Sequence, residues 1–256
     1  MFYHEKLEKI LELLNDQPCW SSKDLADRLG ISRSTVQRCL DDLDRTGQAE
    51  RIHGGVRRKP TSLVQPVPLD ERNQTDAQAK RDICKEAMSF IGQSGYVYID
   101  AGTTTLPIAD HLNKTQHQQI HFVTNDVFIA LALARLELNH TLLSGRLHPI
   151  TQTISGPVSQ AQITEFHFDV CFISADGIDG EYGVTCTLND EAYLKRQAMK
   201  QSATKVLLGA EGKWNHRAGS LIAKLEDFNV HITNQASPQT VKLCKKLGLQ
   251  IVTTEG

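Results

Sequence analysis

The sequence predicts two units of different kinds: an amino-terminal winged helix-turn-helix over residues 1–58 and a mostly parallel α/β domain over residues 76–256, with a linker at 59–75. Three observations predict this. Two short capped helical segments meet at a tight turn around Gly30-Ile31, the pattern of a helix-turn-helix. Two strand-like runs flank Gly54-Gly55 directly afterwards, as a two-residue hairpin requires. From Asp76 onward, short apolar runs alternate with helical stretches, the signature of a sheet covered on both faces.

In chain order, Leu7, Ile10, Leu11 and Leu14 fall on one helical face, and Pro18 closes that helix off. Ser21 can cap a second helix, with Asp24 three residues on as the acidic half of a capping box. Leu25 and Leu29 face inward, and Gly30 supplies a left-handed stop. Ser32 caps a third helix that runs to about Arg45. Residues 49–52 and 56–58 then form a wing around Gly54-Gly55. Pro60, Pro66 and Pro68 stand among polar residues without a hydrophobic period, hence the linker at 59–75.

Beyond it, residues 80–92 are expected to be helical. Buried strands are expected at 96–99, 121–123, 141–143, 170–173, 206–208, 230–232 and 250–252, with helices at 106–112, 126–136, 191–203 and 238–247. The balance of 40% hydrophobic and 23% charged residues excludes a disordered chain. The longest apolar runs, such as 129–134, fall far short of the ~18 residues a membrane span needs. Residues 1–9 carry acids and no apolar core, so no signal peptide is expected there. The six cysteines form no C-x-x-C pair, so they read as reduced thiols of a cytoplasmic protein.

Placed at about 100° per residue, Val36, Leu40 and Leu43 of the third helix share one face, with Cys39 at its edge. Ser34, Arg38 and Arg45 project oppositely, with Arg33 and Gln37 to one side. The amino-terminal end of a recognition helix meets base edges, which makes Arg33, Ser34, Thr35, Gln37 and Arg38 the candidate reading set. The wing adds Arg51, His53, Arg57 and Arg58. Asp41 is placed to pair with Arg45 at i+4. Residues 33–59 hold seven cations against four carboxylates inside a chain of net charge −2, a local excess suited to phosphate contacts. A charged helical hairpin used for protein contacts is the alternative. The tight turn, two caps and Gly-Gly wing together favour double-stranded operator DNA as the partner.

In the larger unit, Asp100-Ala-Gly-Thr-Thr-Thr105 follows a strand and precedes a helix. Gly102, Thr103, Thr104 and Thr105 could aim amide and hydroxyl donors at an anion, helped by the helix dipole; a plain strand–helix turn is the alternative. Open α/β sheets bind ligands at the carboxyl ends of their strands. At those ends stand Thr124-Asn125, Asp176-Gly177 with Asp179, Glu191, and Lys213, while the helix after Glu191 carries Lys195 and Lys200. The set suits a small polyhydroxylated anion. No triphosphate-binding loop, no Gly-x-Gly-x-x-Gly, no Gly-x-Ser-x-Gly elbow and no His-Glu-x-x-His occurs. Neither a cofactor nor a metal is expected, despite ten histidines.

Leu25-Ala-x-x-Leu29-Gly-Ile-Ser32-x-x-Thr35-Val-x-Arg38-x-Leu40-x-x-Leu43-x-x-x-Gly47, ending in Arg51-Ile-His-Gly-Gly55, resembles the DeoR family of bacterial transcriptional regulators. The resemblance runs from Lys6 to about Asn234. It implies a carboxy-terminal domain similar in fold to ribose-5-phosphate isomerase and glucosamine-6-phosphate deaminase. It also implies a phosphate loop at Gly102–Thr105 and a pocket lined by Asp100, Thr124, Asn125, Asp176, Gly177, Glu191 and Lys213. Gln37 and Cys39 stand where the family usually has Arg and Asp, so operator sequence does not carry over. Ser144-Gly145, Ala210 and Thr233-Asn234 also depart from the family pattern.

The expectation is therefore a repressor of carbohydrate genes, a homo-oligomer (dimer or tetramer) away from any membrane, controlled by a phosphorylated sugar. An isomerase or deaminase with a DNA-binding head is the second reading, since Asp176 and Asp179 resemble the isomerase Asp-Gly-x-Asp signature. Glu181-Tyr182-Gly183 offers no Lys where the isomerases have one, so no catalysis is expected. A third reading makes the large unit only an oligomerisation body.

Overall fold

In the computed structural model the apolar stripe from Leu7 to Leu14 lies along helix α1 (Tyr3–Asp16), with Ile10 and Leu14 fully buried. The structure describes residues 3–17, 19–45, 49–58 and 67–254. A three-residue strand β1 (Cys19–Ser21) precedes α2 (Ser22–Leu29), whose N-cap is Ser21. The Ser21 hydroxyl accepts from the Asp24 amide at 3.0 Å and donates to the Asp24 carboxylate at 2.7 Å. Gly30 adopts the left-handed conformation (φ 63°) that stops α2 within one residue. Helix α3 (Arg33–Arg45) then buries Val36, Cys39, Leu40 and Leu43 against α1 and α2.

The wing pairs β2 (Ala49–Ile52) with β3 (Gly55–Arg58), and β3 also pairs with β1, so the small sheet has the order β1-β3-β2. Its turn residues are His53 and Gly54 (φ 82°) rather than the expected Gly54-Gly55. Gly55 is instead a strand residue whose missing Cβ makes room for β1, since a Cβ there would stand 2.1 Å from the Trp20 carbonyl oxygen.

The chain divides into two compact units, residues 1–62 and 63–256. Residues 59–66 of the expected linker lie outside the described residues. Its remainder is not irregular, because Leu69–Gln74 forms helix α4 within the second unit. There follow α5 (Ala77–Ala87), β4 (Gly95–Ile99), α6 (Ile108–His111), α7 (Lys114–His117), β5 (Ile120–Thr124), α8 (Val127–Arg135) and β6 (His140–Leu142). Then come β7 (Arg146–Leu147), β8 (Ile154–Ser155), α9 (Pro157–Gln162), β9 (Phe168–Ser174), β10 (Gly177–Asp179) and β11 (Gly183–Cys186). The chain continues through α10 (Asn189–Lys200), β12 (Ser202–Leu208), β13 (Ser220–Ala223), β14 (Val230–Thr233), α11 (Pro238–Lys246) and β15 (Gln250–Thr253).

Seven strands form one sheet in the order β15-β14-β12-β9-β4-β5-β6, and every pairing in it is parallel. Alternation along each strand sends side chains to opposite faces. Val97, Ile99, Val170, Phe172, Val206 and Leu208 pack on one side with Ile83 of α5 and Leu133 of α8. Tyr98, Cys171, Ile173 and Leu207 pack on the other with Leu194 and Ala198 of α10. A sheet buried on both faces needs near-continuous apolar strands, which is why these seven runs stand out in the sequence. A second, antiparallel sheet β10-β11-β13 extends past the carboxyl end of β9, and β7 pairs with β8.

Candidate functional site

On α3 the structure exposes Arg33, Ser34 and Arg38 and half-buries Thr35 and Gln37. The Ser32 hydroxyl accepts from the Thr35 amide at 3.3 Å and lies 2.8 Å from Thr35 Oγ1, so Thr35 serves the cap. Gln37 is not a free reader. Its amide donates to Ser22 Oγ at 3.1 Å, and its Oε1 accepts from Arg51 at 2.5 Å. Arg51 also reaches Asp41 at 2.5 Å, so Asp41 pairs with the wing and not with Arg45, which bonds Asp42 at i+3. Arg57 forms a bidentate pair with Glu50 at 2.9 Å, again within the wing. His53 stands exposed at the wing tip, while the Arg58 side chain lies outside the described residues. Two of the expected DNA contacts, Arg51 and Arg57, thus face protein acceptors. Sequence spacing could not reveal this, because each partner comes from another element.

The second cluster gathers at the carboxyl ends of β4, β5 and β9. Asp100, just past β4, is 1% exposed and accepts from the Ser174 amide at 3.0 Å and its hydroxyl at 2.7 Å. Lys195, reaching in from α10 and 3% exposed, forms an ion pair with the same Asp100 oxygen. Burial opposes the Lys195 charge, but the Asp100 carboxylate outweighs it and holds the ammonium's pKa above the ordinary lysine value. Sequence reading placed Lys195 on a helix without a role, and no spacing rule points a mid-helix lysine at a residue 95 positions away.

The loop after Asp100 is more committed than its sequence suggests. Asn125 Oδ1 accepts from the Ala101 amide at 2.8 Å and Tyr98 Oη at 2.9 Å, and its amide donates to the Ile154 carbonyl at 3.0 Å. Asn125 therefore ties three segments together. Thr124 Oγ1 accepts from the Asp126 amide at 3.0 Å, and the Gly102 amide is directed at the Asp126 carboxylate. The Thr105 hydroxyl turns inward to the Asp100 and Gly102 carbonyls at 2.6 and 2.9 Å. Gly102 and Gly177 answer close approaches: an added Cβ would meet Ser174 Oγ at 2.4 Å and the His216 carbonyl oxygen at 2.5 Å, respectively.

Helix α6 has four residues and begins at Ile108, so the expected helix dipole at the loop is absent. Among the described residues, the amides and hydroxyls of Thr103 and Thr104 remain as loop donors without a protein acceptor. Thr103 Oγ1 accepts from the buried Lys80 ammonium at 3.0 Å.

Around this loop the charges separate. Glu191, at the start of α10, accepts from Thr151 Oγ1 at 3.0 Å and Thr153 Oγ1 at 2.5 Å. Burial raises the Asp126 carboxyl above its usual range, against the N-cap amides of α8. Elsewhere Asp176 accepts from Arg72 at 3.1 Å and from the Thr187 amide and hydroxyl at 2.8 Å. Burial works against the Asp176 charge, but Arg72, Thr187 and Lys213 together hold its carboxyl below the usual range. Lys213 has its pKa lowered, chiefly by burial, with Arg72 also repelling its charge and Asp176 and Asp76 attracting it. Arg72 and Lys80 were not foreseen, since one falls in the proline-rich tract and the other reads as an ordinary helix lysine.

Asp179, the carboxylate of the isomerase-like signature, is held by Arg217 in a bidentate pair at 2.7 and 3.0 Å and by the amides of Glu181 and Tyr182. Both of its oxygens are thus engaged by protein donors. A separate cleft of about 260 Å³, lined by residues including Arg196, Lys200, Lys205 and Asp227, lies toward the amino end of β12, away from the strand ends described above.

Among the described residues no group of three or more His, Cys, Asp or Glu side chains could hold a metal, and no helix is long and apolar enough to cross a membrane.

A winged helix joined to a parallel α/β body with a polar strand-end cluster defines a DNA-binding regulator with a small-molecule sensor. The DeoR C terminal sensor domain family matches residues 75–235, and an HTH domain family matches residues 6–57. The HTH-type transcriptional regulator GlpR of Haloferax volcanii is 30% identical over 230 residues, covering 90% of this chain and 89% of that protein. The lactose phosphotransferase system repressor of Streptococcus mutans is 30% identical over 245 residues, covering 94% and 96%. Among solved structures, ribose 5-phosphate isomerase A from Methanocaldococcus jannaschii is similar at a TM-score of 0.41, with 13% identity over 55% of each chain. The chain belongs to the DeoR family of transcriptional regulators. It is a regulator of transcription and not an enzyme.

Proposed function

We propose that this regulator represses carbohydrate genes from the cytoplasm and that a phosphorylated sugar at the carboxyl ends of β4, β5 and β9 controls its hold on operator DNA. The observation that carries the reading is the separation of charge around the Thr103–Thr104 loop. Cations of Arg72, Lys80 and Lys213 gather where an anion would sit, while Glu191 with Thr151 and Thr153 offers hydroxyl-binding groups. The relatives named for lactose and aga operons support a sugar as the signal. At the DNA end, Arg33, Ser34 and Arg38 take the base-reading role and His53 the wing contact. Arg51 positions Gln37 instead of touching DNA.

One reading helix and one wing rarely reach operator affinity alone, so the chain acts as a dimer or tetramer on repeated half-sites. Residues 1–58 read DNA and the second unit senses and assembles. A thermal-shift screen of the full chain against matched phosphorylated and unphosphorylated sugars, followed by gel shifts with operator DNA, tests the reading. The expected result is a melting increase and a changed operator affinity with a phosphorylated sugar only. No response to any phosphorylated sugar would overturn it.

A further inference from the structure

Lys80 is 5% exposed, yet among the described residues its ammonium donates only to neutral acceptors, the Arg72 carbonyl at 2.5 Å and Thr103 Oγ1 at 3.0 Å. Of the charges that act on it, Lys213 and Arg72 repel it and only Asp76 attracts it. Buried charges in folded proteins are normally paired, because an unpaired one loses its hydration without compensation. Three cations thus share one corner with the carboxylates of Asp176 and Asp76, leaving positive charge in excess. The Arg72 fork commits one donor to Asp176 Oδ1, whereas Asp176 Oδ2 is held independently by Thr187. Asp176 can therefore lose Arg72 and stay in place.

We propose that Arg72 is an effector ligand, which leaves Asp176 for a phosphate-class dianion seated among Thr103, Thr104, Lys80 and Lys213 and thereby re-seats helix α4. The inference rests on the reading of this site as a sugar-phosphate sensor. A phosphate monoester carries nearly two charges at neutral pH and matches the planar guanidinium in two parallel bonds. Asp176 presents one charge and, in this arrangement, one bond. The dianion also supplies the counter-charge that Lys80 lacks. Helix α4 is suited to move: it has six residues, and Leu69 is its one buried side chain. Segments with few buried apolar contacts shift at low cost. It is also the first described helix after residues 59–66, the segment that leads back to the DNA-reading unit. In this arrangement Asp176 is a stand-in for the ligand's anion and not a sugar-hydroxyl acceptor.

The test uses the full-length protein and inorganic phosphate, against chloride at matched ionic strength. Phosphate should raise the wild-type melting temperature, and calorimetric titration should show its affinity falling tenfold or more in Arg72→Gln, with part regained in Arg72→Lys. Asp176→Asn should bind phosphate severalfold more tightly, because a repelling charge and a competitor for Arg72 are both gone. The phosphate-dependent change in operator binding should vanish in Arg72→Gln. If Arg72→Gln binds phosphate as the wild type does, or if Asp176→Asn binds it more weakly, the proposal is wrong. Should Arg72→Gln not fold, the direction of the Asp176→Asn change decides alone. Loss of phosphate in Lys213→Met with full binding in Arg72→Gln would remove the Arg72 role and leave the sensor reading standing. If neither phosphate nor any phosphorylated sugar shifts the wild type, both fall.

Discussion

Replacing Lys195 by Met gives the sharpest stability prediction the sensor unit offers. Lys195 and Asp100 are 3% and 1% exposed, so neither charge has water to fall back on. Without the ammonium, Asp100 keeps the Ser174 amide and hydroxyl as donors, two hydrogen bonds for a buried carboxylate. Removing one partner of such a pair typically costs about 3–5 kcal/mol. For a unit of this size that is roughly 6–20 °C of melting temperature. Asp100→Asn alone strands the ammonium at similar cost, but Lys195→Met with Asp100→Asn removes both charges and keeps the Ser174 bonds. The two single losses should therefore exceed the double loss by about 1–3 kcal/mol. Urea unfolding is the assay, and the two tryptophans divide the signal conveniently, Trp20 in the first unit and Trp214 in the second. In a Trp20→Phe background, Trp214 reports the sensor unit by itself. A loss below about 1 kcal/mol in Lys195→Met, or strict additivity in the double mutant, would refute the argument.

Lys80 makes stability depend on pH in a stated direction. Burial, with Lys213 and Arg72 behind it, brings its ammonium down to about 8, below the ~10.4 of an unfolded lysine. Between those values the unfolded chain holds the extra proton, so stability rises with pH by up to about 3 kcal/mol. Urea titrations from pH 7 to 10.5 should show this rise in the wild type relative to Lys80→Met, and parallel curves would refute it. At the DNA end, Arg38→Ala should weaken operator binding by about 1–3 kcal/mol. Arg51→Ala should instead alter the base preference by freeing Gln37. Gel-shift titrations on the operator and on single-base variants separate the two, and wild-type binding by Arg38→Ala would remove it from the reading set.

The seven-stranded parallel sheet was legible because its central strands are buried on both faces and so carry apolar runs, as in 170–173 and 206–208, while the partly exposed edge strands β6 and β15 keep shorter ones. Most of the strands that escaped notice lack such a run. Gly177–Asp179 and Gly183–Cys186 are short, begin with glycine and carry the polar residues Asp179 and Thr185. Three-residue β1 pairs only because β3 offers Gly55 opposite it. The helix-turn-helix was legible down to its caps, since Ser21, Gly30 and Ser32 act on backbone groups within four residues. The wing turn was misplaced by one residue: Gly54 bears the positive φ, while Gly55 answers a steric demand from Trp20.

The site itself was half legible, and the two halves differ in kind. Motif reasoning finds residues close in sequence that share a loop, so it found Asp100, Gly102, Thr105, Thr124 and Asn125. Most of these build the loop: Asn125 fastens Ala101 to β4 and to Ile154, Thr105 closes the turn, and Asp100 is neutralised by Lys195. The cations that could meet a ligand come from elsewhere, Arg72 from α4, Lys80 from α5 and Lys213 from after β12. Lys213 was among the expected pocket residues, but Arg72 and Lys80 carry no local motif that would mark them. What marks Lys80 is three-dimensional, a buried ammonium facing only a carbonyl and a hydroxyl. Asp179 shows the converse error: its spacing resembles a catalytic signature, but Arg217, 38 residues on, occupies both oxygens. The hydroxyl-rich loop therefore sets the shape of the site, and the charge that would select the ligand is delivered to it by helices on either side in the chain.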